Sequence, residues 1–194
     1  MLVIGLTGSI AMGKSEAARI LADYGLPVFD ADAEVHKLYD SVQGADMIRP
    51  FVPEAVLDNR VNREIVTKAV VTDRNLLSKL ESVVHAEIKK RREKFIVAAR
   101  AGGARGVVLD IPLLFETSAQ KDVDKIIVIS TSATKQKERV LARPKMTEER
   151  LALILARQMP DQEKRVLADA VIENNGSITE LKTKLIDLMQ KWGI

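Results

Sequence analysis

The chain has 194 residues, which suits one compact domain with an excursion or a lid but hardly two full domains. Its composition, with 46% hydrophobic residues and only 4% aromatic ones, favours an aliphatic α/β core over a β-sandwich. The absence of cysteine excludes disulfides and zinc–thiolate sites. No apolar run approaches the length of a transmembrane helix, and the apolar start lacks the basic region and cleavage site of a signal peptide, so we expect a cytoplasmic protein with no membrane partner.

The net charge of +3 is mildly basic, which suits a protein that handles small polyanions. A nucleic-acid-binding protein would show a concentrated basic stripe. The only dense basic run, Lys89–Arg92, is predicted to lie on the outside of a long helix. We therefore expect no nucleic-acid partner.

The first part of the chain alternates between aliphatic runs and helical periodicity. Leu2–Thr7 predicts a buried strand, and Lys14–Tyr24 predicts a helix that Gly25 closes. Pro27–Asp32 predicts a second strand. The following helix is expected to end at Gly44, with one apolar face made by Val35, Leu38, Tyr39 and Val42.

The region from 46 to 103 has a different character and predicts a mostly helical excursion from the sheet. Pro50 and Pro53 interrupt it early, while Asn62 and Asp73 are candidate caps for a short and a long helix. The apolar stripe of the long helix consists of Leu76, Leu77, Leu80, Val83, Val84 and Ile88.

The last part of the chain returns to strands. Gly106–Pro112 and Lys125–Ser130 are continuous aliphatic runs, as expected of parallel strands covered on both faces. A charged helical hairpin follows, broken at Pro144 and restarted at Thr147, and then a short strand, Asp169–Asn174. The final helix opens with a capping box from Ser177 to Glu180 and directs inward Leu181, Leu185, Leu188 and Trp192.

Together with a loop between the first strand and the first helix that fits the phosphate-binding pattern G-x-x-x-x-G-K-[ST], these elements predict a three-layer α/β fold of the P-loop NTPase type, with roughly five parallel strands. We expect the single domain to divide into three parts. Residues 1–45, 104–133 and 160–194 form the nucleotide-binding core, residues 46–103 form the helical excursion, and residues 134–159 form a helical hairpin that suits a lid.

A glycine-rich loop lies between the first strand and the first helix. Its eight residues fit the pattern G-x-x-x-x-G-K-[ST] and predict a nucleoside triphosphate site: Gly8, Ser9, Ile10, Ala11, Met12, Gly13, Lys14 and Ser15. Small residues allow successive backbone N–H groups to turn towards a phosphate at the positive end of a helix. Lys14 can reach the β- and γ-phosphates, and the hydroxyl of Ser15 can hold Mg²⁺.

Three carboxylates stand where ligands bind in open α/β sheets, at the carboxyl ends of predicted strands. If Asp30 and Asp32 both end the second strand, strand alternation places them on the same side, beside the phosphate-loop strand in the usual order. We expect one to cap the next helix and the other to take a proton from an attacking hydroxyl or to position Mg²⁺. Asp110 ends an aliphatic strand in the manner of a Walker-B residue that supports Mg²⁺.

The charged hairpin places Arg139 and Arg143 four residues apart, on one face of a helix that Pro144 interrupts. Guanidinium groups on a mobile hairpin suit a lid that closes over a triphosphate. Arg150 and Arg157, in contrast, are typical of an exposed charged surface. The two histidines, His36 and His85, lie within helical segments and are expected to be packed or surface groups, not catalysts.

Together these motifs resemble the dephospho-coenzyme A kinases over nearly the whole chain. The resemblance rests on VIGLTGSIAMGKS, VFDADAEVHKLY, DNRVNREIV, VVLDIPLLFE, QKERVLAR, the Gln158 of ARQ, and ADAVIENNGS. It implies ATP-dependent phosphorylation of a ribose 3′-hydroxyl, with ATP–Mg²⁺ on the glycine loop, Lys14 and Ser15. It further implies that Asp32 is the base, that the excursion binds dephospho-coenzyme A, and that Asn174 or Asn175 lies near the nucleotide base.

The chain departs from this family at two positions. Ala11 stands where the family often has glycine, which matters if that residue has a positive φ, and Ala86 stands where a proline usually follows the histidine. Two alternative functions remain open on the motifs: another small-molecule P-loop kinase, or a nucleotide-dependent switch. A GTPase switch would carry an Asn-Lys-x-Asp motif, which the sequence lacks. Either a monomer or a small homo-oligomer is expected.

Overall fold

The computed structural model describes the chain with all side chains except that of residue 72. It divides into two compact units, each described here by itself. The first contains Met1–Phe29 and Ala98–Ile194, and the second contains Asp30–Val97. No helix among the described residues combines the length and the apolar character needed to span a membrane.

The predicted strands and helices follow one another in the expected order, and two short strands within residues 46–103 and a helix that begins at Asp161 are additional to them. The strands are β1 Leu2–Thr7, β2 Val28–Asp30, β3 Val56–Leu57, β4 Arg60–Val61, β5 Gly106–Asp110, β6 Lys125–Ser130 and β7 Ala170–Glu173. The helices are α1 Lys14–Asp23, α2 Ala31–Tyr39, α3 Val42–Ile48, α4 Arg63–Thr72, α5 Arg74–Ala101, α6 Ala133–Leu141, α7 Glu148–Leu155, α8 Asp161–Leu167 and α9 Ile178–Lys191.

The first unit is built on a five-stranded parallel sheet in the order β2-β5-β1-β6-β7, which confirms the predicted fold class. The predicted position of β2 beside β1 is wrong. Strand β1 has β5 on one side, with Val3 opposite Val107, and β6 on the other, with Ile4 opposite Lys125. Because both edges of β1 are paired, β2 has no place beside it. Strand β2 instead pairs with β5 and lies at the edge of the sheet.

An aliphatic core lies between the sheet and helices α1 and α9. The inward residues of the strands alternate as the pleat requires, with Ile4 and Leu6 of β1 both fully buried in this core. Gly5, between them, faces the opposite side, where Leu114 and Val123 cover the sheet. As predicted, α9 directs inward the residues Leu181, Leu185, Leu188 and Trp192.

The second strand ends earlier than predicted. Asp30 Oδ1 accepts a hydrogen bond from the Ala33 N–H at 2.9 Å, so Asp30 is the N-cap of α2 and helical structure begins at Ala31. Asp32 therefore lies in the first turn of a helix, not in a strand. The expectation that strand alternation places Asp30 and Asp32 on the same side is wrong for this reason.

The helix predicted to end at Gly44 is in fact two helices. Helix α2 ends at Tyr39, and Ser41 starts α3 by accepting a hydrogen bond from the Gly44 N–H at 3.1 Å. Gly44 lies inside α3 and packs against the carbonyl of Leu38, where a Cβ atom would collide with that oxygen. Val42 is 59% exposed, so it does not belong to the predicted apolar face.

The second unit is mostly helical, with the short hairpin of β3 and β4. The two predicted caps are confirmed: Asn62 Oδ1 accepts from the Ile65 N–H at 3.2 Å, and Asp73 Oδ1 accepts from the Leu76 N–H at 3.0 Å. The core is formed by Leu38, Ile48, Val52, Ala55, Val61, Val66, Leu80 and Val84.

The basic run on α5 is less exposed than predicted. Lys89 and Lys90 are exposed, but Arg91 is half-buried and Arg92 is 8% exposed. Arg91 forms ion pairs with Glu34 at 3.4 Å and with Glu87 at 3.5 Å, so its charge is already neutralised within the second unit.

The charged hairpin is α6 and α7, and Thr147 caps α7 as predicted by accepting from the Arg150 N–H at 3.3 Å. One prediction about the hairpin is wrong, because α6 ends at Leu141 and Arg143 lies in the turn beyond it. The cause is Pro144, which disfavours helical geometry in the preceding residue. Arg139 and Arg143 therefore do not share a helix face.

Candidate active site

The loop between β1 and α1 depends on glycine at two positions. A Cβ on Gly8 would lie 2.6 Å from the carbonyl oxygen of Ile129 in the neighbouring strand. Gly13 has a φ of +99°, and a Cβ there would collide with the side chain of Asn174. Gly8 thus lets the loop approach the backbone of β6, and Gly13 lets it approach the buried amide of Asn174.

Ala11 has a φ of 60°, in the left-handed region that favours glycine. The departure at this position therefore affects the backbone. The loop accepts an alanine there at a conformational cost of roughly 1 kcal/mol, but it keeps the turn.

Lys14 and Asp110 meet at the carboxyl edge of the sheet. The Lys14 Nζ atom forms an ion pair with Asp110 Oδ1, and the two side chains are only 16% and 4% exposed. The loop is tied to the same segment a second time, because the Thr7 hydroxyl donates to the Pro112 carbonyl at 3.0 Å. The structure thus brings the glycine loop and the end of β5 together, as the motifs predict.

The segment after β7 supports the glycine loop from one side. Asn174 is 8% exposed and its Nδ2 donates to the Met12 carbonyl at 2.9 Å. Asn175 is exposed, and its Oδ1 accepts from the Thr131 hydroxyl at 2.8 Å and from the Ser132 N–H at 3.0 Å. Asn174 thus holds the loop itself, while Asn175 holds the start of α6.

Arg139 points towards the glycine loop. Its Nη2 donates to the Asn174 carbonyl at 3.0 Å, and its Nη1 lies 3.8 Å from the position that a Cβ on Gly13 would take. That Nη1 is buried and has no hydrogen-bond partner among the described side chains and backbone. A buried guanidinium N–H without a partner is unfavourable unless a ligand supplies an acceptor. Arg143, in contrast, is exposed.

Two glutamines that the residue patterns did not single out hold the loop at Ile10. Gln136 Nε2 donates to the Ile10 carbonyl at 2.9 Å, and Gln158 Oε1 accepts from the Ile10 N–H at 3.2 Å. They are separated from Ile10 by 126 and 148 positions. Gln136 begins the QKERVLAR motif of the family resemblance but was not singled out there, and only that resemblance pointed to Gln158.

An open cavity of about 500 Å³ lies beside the loop within the first unit. Its lining includes Met12, Thr131, Gln136, Arg165 and Asn175. Arg165 donates to the Ser130 hydroxyl at 3.0 Å and to Glu173 Oε1 at 2.8 Å. The hydrogen bond from Arg165 lowers the pKa of Glu173.

The candidate residues on α2 and α5 belong to the second unit. Asp32 is exposed in the first turn of α2, while Asp30 is occupied as its cap. His36 and His85 are both exposed, and Arg63 Nη1 lies 2.7 Å from the ring nitrogens of His36. The hydrogen bond from Lys37, with a further one from Arg91, holds the pKa of Glu34 below its ordinary value.

The metal-binding candidates are a hydroxyl and one carboxylate. Ser15 is exposed in the first turn of α1, and Asp110 is 3% exposed at the end of β5. Apart from residue 72, whose side chain is not described, no three or more acidic or histidine side chains cluster as a metal cage. A site of this kind suits a cation that receives its other ligands from a phosphate and water, as Mg²⁺ does.

A family model described as dephospho-CoA kinase matches residues 2–180, which include the glycine loop, Asp110 and Arg139. The chain belongs to the dephospho-CoA kinase family. The resemblance found in the motifs is thereby confirmed, and the chain is a phosphotransferase.

Known dephospho-CoA kinases are similar to this chain over nearly its full length. The dephospho-CoA kinase of Brucella melitensis is 46% identical over 189 residues, which cover 97% of this chain and 94% of that one. The solved dephospho-CoA kinase from Campylobacter jejuni has a TM-score of 0.73 at 25% identity, covering 97% and 96%. Shikimate kinase from Acinetobacter baumannii has a TM-score of 0.57 at 17% identity, covering 98% and 94%, and shares the fold alone.

Proposed function

We propose that the protein transfers the γ-phosphoryl group of ATP to the ribose 3′-hydroxyl of dephospho-coenzyme A, which completes coenzyme A. The observation that carries this proposal is the family match over residues 2–180. Within that range, Lys14 and Asp110 are paired at the glycine loop, and Arg139 has a free donor beside it.

ATP would bind with its β- and γ-phosphates on the glycine loop. Gly13 supplies the positive φ that the turn needs, and the first N–H groups of α1 have no intrahelical acceptor because of their position. Lys14 lies at this end of the helix and would place its ammonium on the phosphates. The exposed Asn175 would lie near the nucleotide base.

Ser15 and Asp110 would hold Mg²⁺, since they offer a hydroxyl and a buried carboxylate at the same edge of the sheet. Mg²⁺ supplies charge neutralisation on the phosphate oxygens when bound. The protein's own contribution is to keep the Asp110 carboxylate in place, which its ion pair with Lys14 supports.

Asp32 would take the proton of the attacking 3′-hydroxyl. Its carboxylate is exposed and is not used as a cap, because Asp30 has that task. Residues 46–103 would bind the acceptor, and residues 134–159 would form the lid. Arg139 and Arg143 would neutralise charge on the transferred group, so that most of the catalysis comes from positioning and electrostatics.

The localisation and the assembly follow the same proposal. We expect the enzyme to act in the cytoplasm, without nucleic acid or membrane partners, as a monomer or a small homo-oligomer.

An acceptor panel tests the proposal directly. The purified protein is given ATP–Mg²⁺ with dephospho-coenzyme A, adenosine, AMP or no acceptor, and ADP and coenzyme A are quantified. We expect ADP release that depends on dephospho-coenzyme A, with coenzyme A formed in equal amount. ADP release that depends on a different acceptor would show that the protein is a kinase of another substrate. ADP release that depends on none of the acceptors would overturn the assignment.

Substitutions of Asp32 and of the nearby Asp30 test the proposed role of Asp32. Asp32→Asn should lower kcat by roughly 100-fold while ATP binding stays nearly unchanged, since general base assistance typically contributes factors of this size. Asp30→Ala is the matched control: it should lower the free energy of unfolding by about 1 kcal/mol through loss of the cap, with a far smaller effect on kcat. Equal losses of ATP binding and kcat in Asp32→Asn would indicate a structural or metal-binding role instead.

A further inference from the structure

A fully buried lysine stands in the short helix α8. Lys164 is 0% exposed, and its Nζ lies 2.9 Å from Glu116 Oε1, whose side chain is 18% exposed. An ammonium group is strongly disfavoured in a protein interior unless a carboxylate compensates it. Burying the Lys164–Glu116 ion pair therefore costs desolvation free energy, and the contacts of Glu116 show which part of the chain the pair positions.

The same oxygen of Glu116 has a second partner. Glu116 Oε1 accepts a hydrogen bond from the Met159 N–H at 2.7 Å, in the connection between α7 and α8. Burial raises the pKa of Glu116, but the neighbouring charge of Lys164 and the hydrogen bonds from the Met159 and Glu116 N–H groups outweigh it, so that the pKa is lowered. In its charged form, the carboxylate of Glu116 thus fixes the backbone at residue 159.

The residue before Met159 reaches the glycine loop. Gln158 Oε1 accepts from the Ile10 N–H at 3.2 Å, while Gln136 binds the carbonyl of the same residue at 2.9 Å. Ile10 is thus held on both of its backbone groups by side-chain amides. The orientation of Gln158 depends on the backbone that Glu116 fixes one residue further on.

We propose that Glu116 and Lys164 are positioning residues for ATP binding: their ion pair fixes the turn at Gln158–Met159, and Gln158 in turn holds the glycine loop in its phosphate-binding shape. This inference rests on the proposed function only in that it concerns the ATP site. It requires no statement about the acceptor. The pair acts through Gln158, not by contact with the phosphates.

The test measures the Kd of ATP–Mg²⁺ by calorimetric titration of the full chain. Lys164→Met removes the ammonium and keeps an unbranched apolar stem in its place. We expect it to raise the Kd of ATP about fivefold to tenfold, where tenfold corresponds to about 1.4 kcal/mol. Gln158→Ala should raise it by a similar factor.

The double variant distinguishes a positioning role from a purely structural one. If the pair acts through Gln158, adding Lys164→Met to Gln158→Ala should raise the Kd little further, because residues of one network are not additive. Multiplied effects, or a Lys164→Met protein that is less stable but binds ATP normally, would overturn the proposal. Glu116→Gln serves as a second variant should Lys164→Met fail to fold, since it keeps an acceptor for the Met159 N–H; we expect a smaller rise in the Kd, and no rise would also overturn the proposal.

Lys125→Met is the matched control. Lys125 forms an ion pair with Asp169 at 2.8 Å at the beginning of β6, and neither residue contacts the glycine loop through a described hydrogen bond. Its Kd for ATP should remain within twofold of the starting protein. Because ATP binding is measured without an acceptor, a protein that phosphorylates another substrate would still test the positioning role.

Discussion

Lys14 and Asp110 neutralise one another across the gap between the glycine loop and the end of β5. The ion pair is almost excluded from water, with side chains 16% and 4% exposed. Each partner is also a residue that ATP–Mg²⁺ is proposed to need. The pair therefore holds both side chains at the carboxyl edge of the sheet, where phosphate and cation are proposed to bind.

Asp110→Asn should lower kcat by roughly 100-fold and should shift the dependence of the rate on Mg²⁺ to higher concentrations, since a neutral amide is a weaker ligand. The measurement is the initial rate as a function of Mg²⁺ at saturating ATP. Asp23→Asn is the control, because Asp23 pairs with Arg19 on the exposed side of α1 and should leave the rate unchanged. An unaltered Mg²⁺ dependence in Asp110→Asn would contradict the role in cation binding.

Ala11→Gly should raise the free energy of unfolding by about 1 kcal/mol. Ala11 has a φ of 60°, and glycine adopts this conformation without the steric cost of a Cβ. Urea denaturation measures the change. Ala152→Gly, at an exposed position inside α7, should change stability in the opposite direction by roughly 0.5–1 kcal/mol. A loss of stability in both variants would show that the strain at Ala11 is absent.

Gly13→Ala and Gly25→Ala separate backbone strain from a collision. The φ values of Gly13 and Gly25 are nearly equal, +99° and +100°, but only a Cβ on Gly13 meets another group, the Asn174 amide. Gly25→Ala should cost roughly 1–2 kcal/mol of stability and leave the KM for ATP unchanged. Gly13→Ala should cost more and should raise the KM for ATP at least tenfold, because Asn174 must leave the Met12 carbonyl. Equal effects of the two variants on stability and on the KM would rule out the collision.

The contribution of Glu116 to stability should depend on pH. Its pKa in the folded protein lies below the ordinary value of 4.5, so its charged form stabilises the fold at higher pH, and this stability is lost as the pH falls through the folded pKa. The difference in free energy of unfolding between the starting protein and Glu116→Gln should thus be largest near neutral pH and shrink below about pH 4.5. Urea denaturation at pH 7, 5, 4 and 3 measures it. A difference that does not vary with pH would contradict the assigned cause.

The sequence predicted well those features that are encoded locally. The buried strands β1, β5 and β6 and the caps at Asn62 and Asp73 follow from short runs of residues, and all are confirmed. The three errors at helix boundaries also have local causes. The cap at Asp30 starts a helix sooner than the apolar run suggests, the cap at Ser41 starts a new helix within the predicted one, and Pro144 ends a helix before Arg143.

The features that the sequence did not predict join distant parts of the chain. The order of the sheet depends on which strands reach both edges of β1, and no residue pattern within β2 encodes that choice. In the candidate site, the contacts of Gln158 with Ile10 and of Arg139 with Asn174 bridge 148 and 35 positions. Such contacts arise only from the packing of distant segments. The motifs therefore predicted the residues of the candidate site but not the hydrogen bonds that hold these residues in place.

The register of β1 sets an order of events during synthesis of the chain. Leu2 pairs with Gly106 and Ile4 with Lys125, so more than a hundred further residues must be synthesised after β1 before either of its neighbouring strands exists. The contiguous unit Asp30–Val97 has its own core and is complete by then. The glycine loop, although it is synthesised long before Asn174, can thus take its final shape only after that residue has been added, and a nascent chain arrested before Asn174 should not retain nucleotide.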